Sequence, residues 1–339
     1  VFYIAQLPNA PVTLDYTDDF ESLLSFNVEK DTFGFSNGRR WDFQSTTDTG
    51  RIRSLVLQDV TISGQRSLSL DAFRHCKGNI NVLTGTFNLA AYDKEREEVR
   101  MEFDYIIHNV PKSNDNELSI KGSNGKLFRV LYPYDIRRIN VGRVLNSGSL
   151  SLSDAMAEAG DNFSSATQLQ FKQNDVSLVG GRNVGNGMTI DNVKLYTVQN
   201  DVQLLRVVSP SFLECGVTGP VPLTVTIRNG VSQVQNNVKV SYRLDNGDVV
   251  TENIASLSGK EKRDYTFSKL LDITQSGSHN IDVWVNANGD TYNKNDSIIN
   301  YSVRNQPLVT VFPYLEDFEK DNGYWYADGT HSSWAYGTP

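Results

Sequence analysis

The chain has 339 residues, 39% of them hydrophobic, with 16 Phe, 15 Tyr and 4 Trp. That is too long for one ordinary sandwich and rich enough in apolar side chains to fill two cores. The 40 acidic and 32 basic residues leave a net charge of −8, which argues against nucleic acid or an anionic membrane as the main partner, and no apolar run of about 18 residues is present to insert directly into a membrane.

Residues 1–12 read as the end of a preceding domain and its linker. The first residue is Val1, and the last, in "WAYGTP", falls inside a pattern; the chain is therefore expected to be an excerpt of a longer polypeptide. No charged n-region and apolar h-region lead into the first module.

Residues 13–199 carry alternating apolar positions separated by turn clusters. "RSLSLDAF", "EVRMEFDYII", "NELSIKG", "GKLFRVLY", "TQLQFKQ" and "MTIDNVKLY" each predict a strand. "KGSNGK" and "GGRNVGNG" supply the Gly and Asn that tight turns need. "SLSDAMAEAGDNF" is the one helical candidate, with Ser153 as cap and Gly160 as terminator.

A boundary is expected near Asn200. Residues 200–305 hold seven strand candidates, from "DVQLLRVVSP" to "SIINYSV", the number an immunoglobulin-like sandwich requires. "RLDNGDVV" predicts a hairpin around Asn246–Gly247, and Trp284 is expected in the core. From 306 to 339 the opening pattern restarts: "YLEDFEK" repeats "YTDDFES", with Trp334 and Trp41 following. The fold class expected is all-β: a jelly-roll sandwich, an Ig-like sandwich, and the start of a second jelly roll.

"LDYTDDFES" and "GMTIDNVKLY", as the first and last strands of one module, resemble the MAM-like, concanavalin-type jelly rolls of Bacteroidetes surface proteins. "DVQLLRVVSPSFLECGVTGPVPLTVTIRNG" with "WVNANGDTYNKNDSI" resembles a CARDB domain, and "EDFEKDNGYWYADGTHSSW" the opening of another MAM-like domain. The order is similar to that of the repetitive stalks of type IX-secreted gliding and adhesion proteins. The resemblance implies a secreted or bacterial cell-surface location, with a surface glycan or protein as ligand and the secretion machinery as a further partner.

On a continued strand Asp19 and Glu21 project together and Phe20 points the other way. Asp191 is in phase with Val193 and Leu195, so it faces inward if they do. A buried carboxylate without a partner costs several kcal/mol. The resemblance implies that Asp19, Glu21 and Asp191 hold a structural Ca²⁺, with Asp317 and Glu319 as a second, truncated set; oxygen ligands suit that ion. The alternative is that these acids sit at turns and meet water or an Arg.

Catalytic patterns do not appear. His75, His108, His279 and His331 are isolated, with no H-E-x-x-H, and no G-x-S-x-G or phosphate-binding loop occurs. "DKEREE", from Asp93 to Glu98, reads as a solvated charge run. Cys76 and Cys215 exclude a disulfide scaffold and are expected as buried free thiols, with a bridge between domains as the alternative. Trp41 is expected in the core, while Tyr132 and Tyr134 are left open between packing and sugar stacking. A non-catalytic stalk or adhesion segment is the function expected. A carbohydrate-binding module and an accessory region of a secreted peptidase are the alternatives.

Overall fold

The computed structural model describes residues 10–23, 26–29, 31–47, 50–55, 61–72, 79–108, 117–131, 141–175, 187–327 and 333–337. The fold is all-β, and it divides into two compact units between Val198 and Gln199.

In unit 1 the strands are β1 (Tyr16–Asp18), β2 (Phe26–Glu29), β3 (Thr32–Phe35), β4 (Trp41–Ser45), β5 (Gly50–Leu55), β6 (Ser67–Ala72) and β7 (Asn79–Phe87). They continue with β8 (Glu98–Ile107), β9 (Glu117–Lys121), β10 (Leu127–Leu131), β11 (Val144–Asn146), β12 (Leu150–Ser151), β13 (Thr167–Asp175) and β14 (Met188–Val198). One sheet runs β11-β8-β14-β6-β5-β2, with β1 added beside β14 and β12 beside β8; the other runs β10-β9-β13-β7-β4-β3. Alternation along β8 turns Val99, Met101, Phe103, Tyr105 and Ile107 into the core. Phe103 meets Phe171 of the opposite sheet edge-on at 4.9 Å, and Trp41 meets Phe87 at 5.9 Å, the ring geometry that aromatic quadrupoles favour. Trp41 is fully buried, as expected. Val12 already belongs to this core; its N–H donates to Asn88 O, and Tyr92 Oη donates to Val12 O.

The helix forms over Leu152–Glu158, with its cap two residues earlier than expected. Ser151, not Ser153, accepts from Asp154 N–H at 3.0 Å. Ser153 is buried and instead accepts Val99 N–H and donates to Glu97 O, tying the helix to β8.

Unit 2 contains β15 (Val202–Ser209), β16 (Leu213–Cys215), β17 (Thr224–Asn229), β18 (Gln235–Leu244), β19 (Val249–Leu257), β20 (Lys262–Thr266), β21 (Gly277–Asn286) and β22 (Ser297–Gln306). A three-stranded sheet, β15-β17-β20, and a five-stranded sheet, β16-β22-β21-β18-β19, share a core that includes Val225, Ile227, Tyr242, Phe267 and Val283. Three expectations change here. Trp284 is only half-buried, because Ile281, Val283 and Val285 take the core face of β21. The β18–β19 turn centres on Asp245 and Asn246, both at positive φ (48° and 60°), with Gly247 N–H closing on Leu244 O. That is the double left-handed geometry of a type I′ turn, one residue before the expected centre. Cys215 is exposed with a free thiol rather than buried, because it lies on the outward side of the short edge strand β16.

Among the described residues no strand follows β22. Instead, Gln306 Nε2 donates to Tyr324 O, and the Arg304 guanidinium lies 4.6 Å from the Tyr326 ring centroid.

Candidate functional site

The first and last strands of unit 1 lie side by side. β1 pairs antiparallel with β14 through Tyr16↔Leu195, Thr17↔Lys194 and Asp18↔Val193. The strand stops at Asp18, and Phe20 takes a left-handed φ of 56° while filling the core. Asp19 is therefore exposed at a turn, where Oδ1 accepts Glu21 N–H at 3.2 Å. The inward acid is Asp18. It accepts Trp41 Nε1–H at 2.9 Å, Phe20 N–H at 3.1 Å and the hydroxyls of Ser36 and Tyr16, both at 3.2 Å. Burial first, and then the Asp18 charge and hydrogen bond, push the Tyr16 hydroxyl well above its usual range. A signal for Asp18 was present, since it falls in phase with Tyr16 and Phe20 at period two.

Asp191 is fully buried, as its phase with Val193 and Leu195 implied. It ends a regular stretch of β14, and the bulge that follows carries Asn192 at φ 50°. Asp191 Oδ2 accepts from Ser63 N–H at 3.2 Å, Ser63 Oγ at 3.0 Å and Ser67 Oγ at 2.8 Å; Oδ1 accepts Asn192 N–H at 2.8 Å. Burial nevertheless pushes its carboxyl above the usual range, against the pull of those donors. Glu21 reaches the same loop, where Oε1 accepts Gln65 N–H at 2.8 Å and Arg66 N–H at 2.9 Å. Gly64 sits between these contacts at φ 55°, and a Cβ there would come within 2.1 Å of Glu21 Oε1. Glu21 and Asp191 thus grip one loop, Ser63 to Ser67, from the two ends of the module. These loop residues had no sequence signal beyond the Ser-Gly turn pair.

The four donors on Asp191 supply part of the compensation that an inward carboxylate requires, and burial still outweighs them. Among the described residues, no group of three or more His, Cys, Asp or Glu side chains is arranged to hold a metal ion.

The second acidic set repeats part of this geometry. Glu319 N–H donates to Asp317 Oδ1 at 3.2 Å, Phe318 N–H donates to Glu316 Oε1 at 2.9 Å, and Phe318 has φ 59°. Phe318 and Trp334 lie 6.3 Å apart at 61°, as Phe20 and Trp41 lie 5.6 Å apart at 62°.

Of the other candidates, His108 Nε2 lies 2.7 Å from Thr189 Oγ1. His279 is buried between the Asp245 carboxylate at 2.6 Å and Gln275 O at 2.8 Å. In the "DKEREE" run, Asp93, Glu95 and Arg96 are exposed and Lys94 Nζ donates to Asn162 Oδ1. Glu98, however, is buried rather than solvated, because β8 begins there and Arg100 Nε donates to its Oε1 at 2.9 Å. His75, Cys76, Tyr132, Tyr134, His331 and residues 180–186 of the glycine-rich loop lie outside the described residues.

No family model matches the chain. Bacillopeptidase F of Bacillus subtilis (strain 168) is 30% identical over 121 residues, which are 36% of this chain and 8% of that protein; the chain therefore spans a small part of the length of this relative. Similar solved structures include the CARDB domain of a Pyrococcus furiosus protein in complex with di-metal ions, at 18% identity, covering 32% of this chain and 88% of that one, with a TM-score of 0.24. The xylan-binding CBM22-1 domain of Paenibacillus barcinonensis Xyn10C is 12% identical, over 51% of this chain and 92% of that one, with a TM-score of 0.29. A family 30 carbohydrate-binding module from Clostridium thermocellum is 16% identical, over 51% and 97%, also with a TM-score of 0.29.

Proposed function

We propose that the chain is a non-catalytic accessory segment of a longer extracellular protein, a stalk or adhesion element in which unit 1 is a side-hung module and unit 2 an in-line spacer. The observation that carries this reading is where the ends of each unit lie. In unit 1, Tyr16 and Leu195 are paired neighbours, so the chain arrives and departs at the same end of one seam. In unit 2, Asp201 accepts Asn295 Nδ2 beside the start of β22, and the last strand finishes at its other end, at Gln306, where Tyr324 and Tyr326 of the following segment still make contact. Ten extended residues separate these points by roughly 30 Å. A linker that lengthens a stalk needs its ends apart, and a module displayed from a stalk needs them together. On this reading the ligand is a surface glycan or protein. Tethering the chain by both ends in a force-extension experiment tests the proposal: unit 2 stays folded at loads that open unit 1, and unit 2 opening first would remove the spacer role.

The match to Bacillopeptidase F favours a second reading, an accessory region of a secreted peptidase. A peptidase domain elsewhere in the same polypeptide decides for it. Chelation separates a hydrogen-bonded clamp from a calcium-bridged one at Asp19, Glu21 and Asp191. If EDTA lowers the melting temperature of unit 1, and Asp191→Ala removes that response, the ion is held there; an unmoved curve leaves the loop to its hydrogen bonds.

A further inference from the structure

The segment from Tyr314 to Trp334 has the local form of the opening of unit 1 without its cover. Four features coincide: an Asx-type bond from the residue two ahead, a left-handed Phe, an acid accepting that Phe N–H, and a Phe–Trp pair near 60°. What differs is burial. Phe20 and Trp41 are 0% exposed, whereas Phe318 is 36% and Trp334 41% exposed; Leu315 reaches 85%. A left-handed phenylalanine is strained, and in unit 1 packing over the ring compensates for it. At Phe318 the same conformation is present with much of that packing missing.

We infer that Tyr314–Phe318 and Trp334 form a preformed docking face for an antiparallel β-strand of the β14 type supplied from outside these 339 residues. Unit 1 shows what covers such a face. There the strand presents apolar side chains at Ile190, Val193 and Leu195, all fully buried, and Leu195 and Val193 pair with Tyr16 and Asp18. The corresponding partners are Tyr314 and Glu316, so the incoming strand needs apolar residues opposite both. A second copy of this chain does not offer that strand, because its own β14 is already hydrogen-bonded to β1, β6 and β8. Glu319 stands where Glu21 receives the two N–H groups of the Ser63–Ser67 loop, and it would take an equivalent loop from the incoming sandwich. Nothing in this depends on an accessory role for the chain.

The test uses the whole chain and a synthetic peptide with the sequence of Gly187–Gln199. Trp41 is buried, Trp284 is half-buried, and Trp325 and Trp334 are about half exposed, so the measurement is made in a Trp284→Phe background, where acrylamide quenching reports mainly on the docking face. The expected result is a saturable, one-to-one, several-fold fall in quenching, absent in Phe318→Asp and absent with a peptide carrying Asp at the positions of Ile190, Val193 and Leu195. Unchanged quenching, or an equal effect from the altered peptide, overturns the inference. So does protection that appears without peptide as the chain dimerises in sedimentation, which would make a second copy the occupant.

Discussion

Each unit closes the chain with three residue pairs, but the two closures run in opposite senses. In unit 1, β1 meets β14 antiparallel, and the free ends of both strands lie at the same end of the seam. In unit 2, β16 meets β22 in parallel through Leu213↔Arg304, Glu214↔Asn305 and Cys215↔Gln306. Tension along β1 and β14 therefore peels the first seam one bond at a time, whereas tension along β16 and β22, which reaches β16 through the preceding strand β15, loads the second along its whole length. Equal numbers of residue pairs are thus loaded differently, because the strands run in opposite senses in one seam and in the same sense in the other. The comparison is broken most severely by Glu214→Pro, which removes a donor from the parallel seam. The rupture force of unit 2 is expected to fall towards that of unit 1, while unit 1 is unchanged; an unaltered rupture force would show that another contact bears the load.

Both units tie their loops with buried polar side chains. Unit 1 includes carboxylates that accept from several donors. Besides Asp18 and Asp191, Asp161 takes Ser123 Oγ at 2.7 Å, Asn124 N–H at 2.9 Å, Asn162 N–H at 2.8 Å and Gly122 N–H at 3.0 Å. Unit 2 buries the carboxylates of Asp201 and Asp282 and, besides them, two amides that each reach three carbonyls. Asn229 Nδ2 donates to Gln233, Leu257 and Ser258 carbonyls, and Asn305 Nδ2 to those of Val217, Ile273 and Thr274. Truncating either kind strands buried partners, at a cost of about 1–3 kcal/mol. Asp18→Ala is expected at the upper end in unit 1, because it orphans the indole N–H of a fully buried Trp41. Asn305→Ala is expected to be comparable in unit 2. Urea unfolding of each variant, followed through the transition of its own unit, measures both. A loss confined to the wrong unit would show that the ties are not local. Asn246→Ala, at φ 60° in the β18–β19 turn, is expected to cost less, about 1 kcal/mol.

Strand identity was legible because alternation is a local signal, and both sandwiches follow from it. "EVRMEFDYII" became β8 with every second side chain in the core. The seam acids were legible only in part. Asp191 kept its inward phase, but Asp19 did not face Glu21, because Phe20 turns the chain at a positive φ that no local pattern announces. The loop partners Ser63 and Ser67 lie more than 120 residues from Asp191 in sequence, and only the folded sheet brings them to it. Trp284 was misplaced for a related reason: it is the largest apolar residue on β21, but Ile281, Val283 and Val285 set the phase.

The smallest expected effect separates the units by pH. His279 is buried, which lowers its basicity, yet the bond to Asp245 and the Gln275 carbonyl outweigh this and hold the ring above its usual value. Both ring nitrogens face acceptors, so the protonated form suits the fold. Asp296 is pushed up to about 7 by burial, and then by the charges of Asp290 and Asp201. Both groups have folded values above their unfolded ones. Their contributions are complete below the unfolded values and are lost as pH rises through the folded ones. Unit 2 is therefore expected to melt a few degrees lower at about pH 8 than at about pH 6. Strong acid works the other way, because Asn300 N–H and the Arg243 guanidinium hold Asp282 below the usual carboxylate range, and its contribution is lost as pH falls. Calorimetry across that range checks the decline, and the double variant His279→Gln, Asp296→Asn is expected to flatten it. A slope that survives both substitutions would place the titrating groups elsewhere in the unit.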